Sequence, residues 1–256
     1  GFIDHASAGD ATIISSGNVG FAQNSSADHA TLINNTGGRV DISGLTSGGM
    51  SIGSLSGGGA VFLGAKTLTL GGLGTNDTIG GVIQDGGGLS GGVGGGLIKT
   101  GAGTLTLSGV NTYTGDTTIS GGTLRMGAEN VLASSAGVSV NNGTWDLAGY
   151  NQTVKGLNGN PGTGVTLGSA TLTVDNAANS AYWGGISGSG GVTKTGGATF
   201  ILLGNNTCSG TTNIAGGVMK VGPGASLRNS SAINISNGAK LGVDSINALS
   251  QATAVG

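Results

Sequence analysis

Acidic side chains are the residues of this sequence best suited to chemistry, because two carboxyl groups about 5–10 Å apart can act as acid and base in polysaccharide cleavage. They are scattered along the chain, at Asp10, Asp28, Asp41, Asp77, Asp85, Asp116, Glu129, Asp146, Asp175 and others. Stacked coils could bring distant acids together, so scatter alone excludes nothing. No two acids are adjacent, however, and basic partners are missing. We predict that the chain is not an enzyme and keep polysaccharide cleavage as the least favoured alternative.

Metal ligands and nucleophiles are few. His5 and His29 lie 24 residues apart, near the length of one coil, but no Cys, His or Glu cluster supplies further ligands. Cys208 stands alone, which excludes a disulfide scaffold and favours a small buried hydrophobe over a nucleophile. The segment 71–79, GGLGTNDTI, departs at Asn76 from the calcium-binding nonapeptide GGxGxDxUx and occurs once, so it predicts a turn. We expect no cofactor and no metal.

Three aromatic residues in the second half of the chain, Trp145, Tyr182 and Trp183, have the ring faces needed to stack on a sugar. Aromatic residues are only 4% of the chain. Packing in the core or at a sheet edge is therefore the favoured interpretation of all three.

Composition limits the class of protein. Gly contributes 58 of the 256 residues and Pro only 2, without a Gly-X-Y period, which excludes collagen. Charged residues are 8% of the chain and the net charge is −2, so nucleic acid is not an expected partner. No apolar run approaches the roughly 18–20 residues of a membrane helix, so direct membrane insertion is not expected. The hydrophobic fraction of 36% indicates a packed fold.

Internal repeats decide the interpretation of the fold. Residues 96–127 return as 191–222 at an offset of 95, with 15 of 32 positions identical. Upstream, 63–70 matches 167–174 at an offset of 104, and we assign the nine-residue difference to one Gly-rich surface insertion within 84–95. A shorter period of 19 runs through the N-terminus. It pairs Phe2, Ser7, Ala8, Ala11 and Thr12 with Phe21, Ser26, Ala27, Ala30 and Thr31, and Ile13 with Leu32.

A repeat of about 20 residues is one coil of a solenoid, too short to fold alone. Alternation agrees with this: Leu105 and Leu107 share one face of a strand and Thr104 and Thr106 the other, whereas Ile201 breaks the pattern. The sequence predicts an all-β, parallel β-helix (β-solenoid), with tandem immunoglobulin-like sandwiches as the alternative because one repeat is near 100 residues. Inward asparagines could form ladders at turns, and the candidates are Asn111 with Asn206 and Asn142 with Asn237.

The pattern LxKxGxGTLTLxGxNTYTGxTxIxxGTLxxG, complete at 97–127 and degenerate at 192–222, strongly resembles the passenger-associated transport repeat of bacterial autotransporters. In the second copy Cys208 replaces Tyr113, Ala198 replaces Gly103 and Met219 replaces Leu124. The motif positions that we assign to this repeat are Lys99, Gly101, Leu105, Leu107, Asn111, Tyr113 and Gly115, with Lys194, Gly196, Leu202, Asn206 and Gly210.

The resemblance implies more than the residues do. It implies a right-handed parallel β-helix at the cell surface or secreted, exported through the periplasm and across the outer membrane by a C-terminal translocator β-barrel of the same precursor. We interpret residues 1–256 as one β-helical passenger segment, an internal piece of a longer protein, with repeat units at about 63–127 and 167–222 and short coils at 1–45. Its expected role is a structural, secretion-supporting stem. The alternative is an adhesin segment that binds host surface molecules or like molecules on other cells.

Overall fold

The computed structural model describes residues 1–132, 135–244 and 248–249, and every regular element within them is a β-strand. The prediction of an all-β parallel solenoid is confirmed, since every strand pairing in this part of the chain is parallel. The predicted β-helical segment also includes residues 133–134, 245–247 and 250–256, which lie outside the described residues. The structure contains two compact units, Gly1–Ala136 and Gly137–Gly256.

The first unit contains fourteen strands among its described residues. They are β1(Thr12–Ser15), β2(Asn18–Gln23), β3(Thr31–Asn34), β4(Arg39–Leu45), β5(Gly49–Ile52), β6(Ser54–Ser56), β7(Ala60–Phe62), β8(Thr67–Leu70), β9(Asp77–Ile79), β10(Ile83–Gln84), β11(Gly96–Lys99), β12(Thr104–Leu107), β13(Thr117–Ile119) and β14(Thr123–Met126). Within the unit, β1-β3-β6, β2-β4-β7-β10, β5-β8-β11-β13 and β9-β12-β14 are neighbours in that order.

The 19-residue period is the register of the first coils. Thr12 pairs with Thr31 and Ile13 with Leu32 in adjacent parallel strands. Isolated bridges join Phe2 to Phe21 and Ser7 to Ser26, and the two Phe rings stack with centroids 4.8 Å apart. Like residues therefore sit directly above one another, as a coil-by-coil repeat requires.

The second unit also contains fourteen strands among its described residues. They are β15(Val138–Val140), β16(Thr144–Asp146), β17(Gln152–Val154), β18(Leu157–Gly159), β19(Gly164–Thr166), β20(Leu172–Val174), β21(Ser180–Tyr182), β22(Gly185–Ser187), β23(Val192–Lys194), β24(Thr199–Leu202), β25(Thr212–Ile214), β26(Val218–Val221), β27(Ile233–Ile235) and β28(Lys240–Val243). Three parallel ladders, β15-β18-β21-β24-β26-β28, β16-β19-β22 and β17-β20-β23-β25-β27, form its faces.

Alternation along the strands builds the core. Leu105 and Leu107 are buried while Thr104 and Thr106 remain partly exposed, as the pattern predicts. Ile201, which broke that pattern, points outward on β24 and pairs with Lys220 on the neighbouring strand. The break is thus an apolar residue on a partly solvated face, and it does not shift the register.

The Gly-rich insertion is smaller than the sequence comparison predicts. The main-chain N–H of Ile83 donates to Asn111, and that of Ile186 donates to Asn206, so Ile83 and Ile186 are structural equivalents. From there to the next strand the chain runs to Leu97 in the first copy and to Val192 in the second, a difference of eight residues. The ninth extra residue lies between β8 and β10, a part of the repeat that the sequence comparison aligned without a gap. Residues 88–94 are exposed, so the predicted surface location is confirmed.

Candidate functional site

Each transport motif forms two successive coils. In the first copy β11 pairs with β13 and β12 with β14, and in the second β23 pairs with β25 and β24 with β26. The first pair in each copy brings the motif lysine level with an isoleucine one coil on, Lys99 beside Ile119 and Lys194 beside Ile214. The lysine and the isoleucine of the motif are therefore one coil apart in the sequence, and they lie next to each other in adjacent coils.

Both motif lysines are interior, at 1% exposure for Lys99 and 0% for Lys194. The ammonium of Lys99 donates to the carbonyl oxygens of Thr100, of Gly101 at 3.0 Å and of Gly121 at 3.3 Å. We call this arrangement, and its counterpart in the second copy, the lysine cage. Two of its carbonyls belong to the turn after the lysine, and the third belongs to the next coil.

The second copy repeats the lysine cage. The ammonium of Lys194 donates to Thr195 at 3.0 Å, Gly196 at 2.5 Å and Gly216 at 3.3 Å. In both copies burial lowers the pKa of the lysine because it removes water from the charged form, although an aspartate opposes the shift, Asp77 in the first copy and Asp175 in the second. The cage therefore holds a buried cation with main-chain dipoles.

Glycines allow the coils to approach closely around this cage. A Cβ on Gly101, which has φ +66°, would lie 1.9 Å from the carbonyl oxygen of Gly71 in the preceding coil. At Gly115 a Cβ would lie 2.5 Å from two carbonyl oxygens, those of Gly94 and Gly95. Gly196 and Gly210 meet the main chain of the coil before them at similarly short distances. These motif glycines are required because any side chain would collide with main-chain atoms.

The remaining motif apolar positions are core. Leu105, Leu107 and Leu202 are buried at 2% exposure or less, and Phe200 takes the position of Leu105 in the second copy. They face the interior of their coils and stabilise the solenoid by removing apolar area from water. They carry no polar atom that could bind a ligand, so their contribution is to packing.

The asparagines of the motif bridge coils, each by one hydrogen bond to the coil before. Asn111 accepts from Ile83 N at 2.8 Å and Asn206 from Ile186 N at 3.1 Å, and both side chains are buried. The predicted inward position is correct for this pair, although the bonds run to main chain and form no side-chain ladder. Asn142 and Asn237 are exposed, so the prediction of an inward ladder for them is wrong. They follow strand ends, where the side chain turns to solvent.

The aromatic position of the motif covers a buried pair of hydroxyls. The Tyr113 hydroxyl lies 2.5 Å from that of Thr117, which lies 3.1 Å from that of Ser135. Burial raises the pKa of Tyr113, so the phenol stays protonated and can donate. In the second copy Thr212 and Ser230 keep the pair at 2.8 Å.

The hydroxyl pair was missed in the sequence, although Thr212 and Ser230 stand 95 residues after Thr117 and Ser135. The offset that defines the repeat was the signal, because it continues beyond the motif to the serine. Cys208, which replaces Tyr113, is buried and free, and burial raises the pKa of its thiol. The prediction that it is a small buried hydrophobe is confirmed.

The other candidate residues do not assemble into a site. His29 faces Asp10 at 3.8 Å on the surface, with side chains 71% and 91% exposed. Within the described residues no group of three His, Cys, Asp or Glu side chains could hold a metal ion. Trp145 and Tyr182 are fully buried, as the packing interpretation predicts, whereas Trp183 is half exposed. Among the residues that the structure describes, there is no helix that could span a membrane.

Comparison with known proteins agrees with the geometry of the repeats. The family model for the passenger-associated transport repeat matches residues 97–126 and 192–221. A protein named Adhesin BmaC autotransporter, from Brucella suis biovar 1 (strain 1330), is 38% identical over 118 residues. That match covers 43% of this chain and 3% of the relative's length. No solved structure matches the chain.

Two copies of the same repeat, each folded as stacked parallel coils, and a relative from the same secretion class lead to one assignment. Both findings support an autotransporter passenger segment, exposed at the cell surface or secreted.

Proposed function

We propose that this segment is a structural, secretion-supporting stem of the passenger, and that the motif residues of both repeats act by locking each coil to the next. The observation that carries the proposal is the lysine cage. Its third carbonyl, from Gly121 or Gly216, arrives only when the following coil has docked. A buried ammonium is costly until its donors are satisfied, so the cage favours completion of the next coil.

Coil-by-coil closure suits a chain that crosses a membrane unfolded and folds outside. We infer that the precursor carries a C-terminal translocator β-barrel and that the passenger passes through the periplasm and the outer membrane. A single cysteine supports this, because a chain with no disulfide has no closed loop that would block a narrow pore. Folding that begins at one coil and propagates could then help draw the chain outward.

Secretion of the full precursor tests this role. Replacing Leu105 and Leu107 with Asp places two unpaired carboxylates in the core of the first repeat, so we expect slower appearance of the passenger at the surface. The measurement is protease accessibility of the passenger on intact cells over time. The matched control replaces Thr104 and Thr106, which face outward on the same strand, with Asp. Equal secretion rates for the two variants would contradict the proposal.

Adhesion is the second candidate function, because the relative that matches this segment is named an adhesin. Under this proposal the partly exposed polar faces of the strands contact host surface molecules or like molecules on other cells. Particles coated with the segment should then aggregate pairwise or bind host matrix. Particles that do neither would leave the stem role alone.

We propose that the segment has no enzymatic activity. Two of the carboxylates accept hydrogen bonds from main-chain N–H groups. Asp85 accepts from Gly94 and Gly95, and Asp175 accepts from Gly196. A general acid or base needs a carboxyl group that faces substrate and exchanges its proton. Polysaccharide turnover that an Asp substitution abolishes would overturn this part of the proposal.

A further inference from the structure

The insertion between β10 and β11 is fixed by hydrogen bonds at its base and at its tip. We call residues 85–95 the strap. At its base the carboxylate of Asp85 accepts from the N–H groups of Gly94 at 3.1 Å and Gly95 at 2.9 Å, and from the Thr114 hydroxyl at 2.6 Å. Within the strap Gly86 N donates to Gly92 O at 2.9 Å. The base is therefore closed and anchored to the coil that follows.

The tip of the strap crosses to β4, two coils earlier. The Asp41 carboxylate accepts from Gly88 N at 2.7 Å and Leu89 N at 3.3 Å, and the Ser43 hydroxyl accepts from Ser90 N at 2.9 Å. The strap thus forms a roof over the outer side of β2 and β4.

A cleft of about 210 Å³ lies beneath the roof, lined by Asn18, Val19, Arg39, Asp41 and Leu89 among others. At about 30 Å³ per water molecule, it has room for roughly seven waters, the size of a single sugar ring. Its walls are of two kinds: Val19 and Leu89 are apolar, while Asn18 and Arg39 offer hydrogen-bond donors.

Arg39 is fixed in the cleft on two sides. Its guanidinium lies over the Phe62 ring, 3.6 Å from the centroid, and Nη2 donates to Asp41 at 2.8 Å. Within the described part of the chain its other N–H groups have no acceptor. A guanidinium presents paired N–H groups in a planar fork, which matches the two oxygens of a carboxylate. The guanidinium of Arg39 is therefore held in one orientation, and its remaining N–H groups are available to a ligand.

Asp41 does not compete for those donors. Besides Arg39 it accepts from Gly88, Leu89 and both the N–H and the hydroxyl of Ser43. Burial raises the pKa of Asp41, but the hydrogen bonds from Ser43, Arg39 and Gly88 outweigh burial and hold it below its usual value. Five donors already compensate the negative charge of Asp41. An anion in the cleft is therefore attracted by the guanidinium of Arg39 more strongly than it is repelled by the carboxylate of Asp41.

We propose that this cleft is a binding site for a carboxylated monosaccharide unit. The carboxylate pairs with the free edge of Arg39, the C–H face of the ring lies against Val19 and Leu89, and a ring hydroxyl accepts from Asn18. The site does not depend on the stem role, because the strap is an insertion that the second repeat lacks.

Titration of the chain with D-glucuronate, followed by NMR shifts of the Gly88 and Leu89 amides, tests the site. We expect saturable binding with a dissociation constant of about 1–10 mM, as befits a ligand of this size. D-glucose, the neutral match, should bind at least about tenfold more weakly because it lacks the charge-assisted pair. Equal affinity for glucose and glucuronate would overturn the proposal, and equally tight binding of acetate would overturn its assignment to a sugar.

Three variants and one control localise the site. Arg39→Gln should weaken glucuronate binding at least about tenfold, whereas Arg125→Gln, on β14 away from the cleft, should leave it unchanged. Because Arg39→Gln could also loosen the strap, Leu89→Asp keeps the arginine and adds a repelling charge at the cleft wall, and should weaken glucuronate more than glucose. Replacing residues 84–96 with Ser187–Gly191, the shorter connection of the second repeat, should abolish binding without unfolding the coils. Unchanged binding in the first or last of these would place the ligand elsewhere.

Discussion

At the scale of the residue, the two buried lysines distinguish the repeats from an ordinary apolar solenoid. A buried ammonium is tolerated only where hydrogen bonds replace its water. Each lysine cage contains three main-chain carbonyl oxygens that lie outside the strand pairings. The lysine ammonium donates to all three of them. Replacing the lysine therefore lowers the stability of the folded chain in two ways: it removes packing contacts, and it leaves buried carbonyl oxygens without a donor.

We predict that Lys99→Met destabilises the folded chain by about 2–4 kcal/mol, because the apolar replacement fills the space but leaves the carbonyls of Gly101 and Gly121 unsatisfied. Lys194→Met should behave alike. Urea unfolding followed by circular dichroism measures the free energy. Lys240→Met, at an exposed position on β28, should change it by less than about 0.5 kcal/mol. A Lys99→Met variant as stable as the parent would show that the cage contributes nothing.

Asp41 makes a pH-dependent contribution with a defined sign. Its pKa in the folded chain is lowered, so the folded state releases the proton more readily than the unfolded chain, whose pKa is about 3.9. The stabilisation is fully present above the unfolded value and is lost as pH falls through the folded value. We predict that Asp41→Asn is less stable than the parent at pH 7 and that this difference shrinks as pH falls below about 4. A difference that is constant with pH would contradict the assignment.

The sequence identified the motif lysines but not their burial. Lysine is ordinarily a surface residue, so repetition at an offset of 95 indicated importance without indicating an interior position. Burial follows from parity: Lys99 lies two residues after Leu97 on β11, and both face inward. The alternation used for the leucines would have placed the lysine correctly if its charge had been set aside.

At the scale of the element, strand faces and register followed from the sequence because a solenoid places like residues above one another. Thr12 over Thr31 and Phe2 over Phe21 are repeats in the sequence and neighbours in space. The length of each coil was harder to predict from the sequence. β8 pairs with β11 across 29 residues, whereas β20 pairs with β23 across 20, and the strap accounts for most of that difference. Glycine-rich connections carry no periodic pattern, so their docking on Asp41 could not be predicted.

The inward and outward faces of β12 should respond differently to truncation. We predict that Leu105→Ala lowers the free energy of unfolding by about 2–5 kcal/mol, because it leaves a cavity between β9 and β14. Thr104→Ala on the same strand should cost less than about 1 kcal/mol, since its side chain is partly solvated. Thermal or urea unfolding of the pair checks this. Equal costs would mean that the assignment of the two faces is wrong.

At the scale of the whole molecule, stacked coils imply that stability is shared mainly between neighbours. Leu105 and Leu124 face each other on β12 and β14, whereas Leu172 belongs to the second unit. We predict that Leu105→Ala and Leu124→Ala are non-additive by about 0.5–3 kcal/mol in a double-mutant cycle. Leu105→Ala and Leu172→Ala should add within about 0.5 kcal/mol. Strong coupling in the second pair would require a more global cooperativity than nearest-neighbour stacking.

The strap has a consequence for how this surface can change over generations. Its anchoring bonds to Asp41 and Ser43 run through main-chain N–H groups, and Val93, near its end, is 77% exposed. The outward side chains at Ser90 and Val93 can therefore be exchanged without releasing the loop. A molecule that recognises this patch would contact side chains that the fold does not require, so substitutions there would abolish recognition while the backbone stays the same.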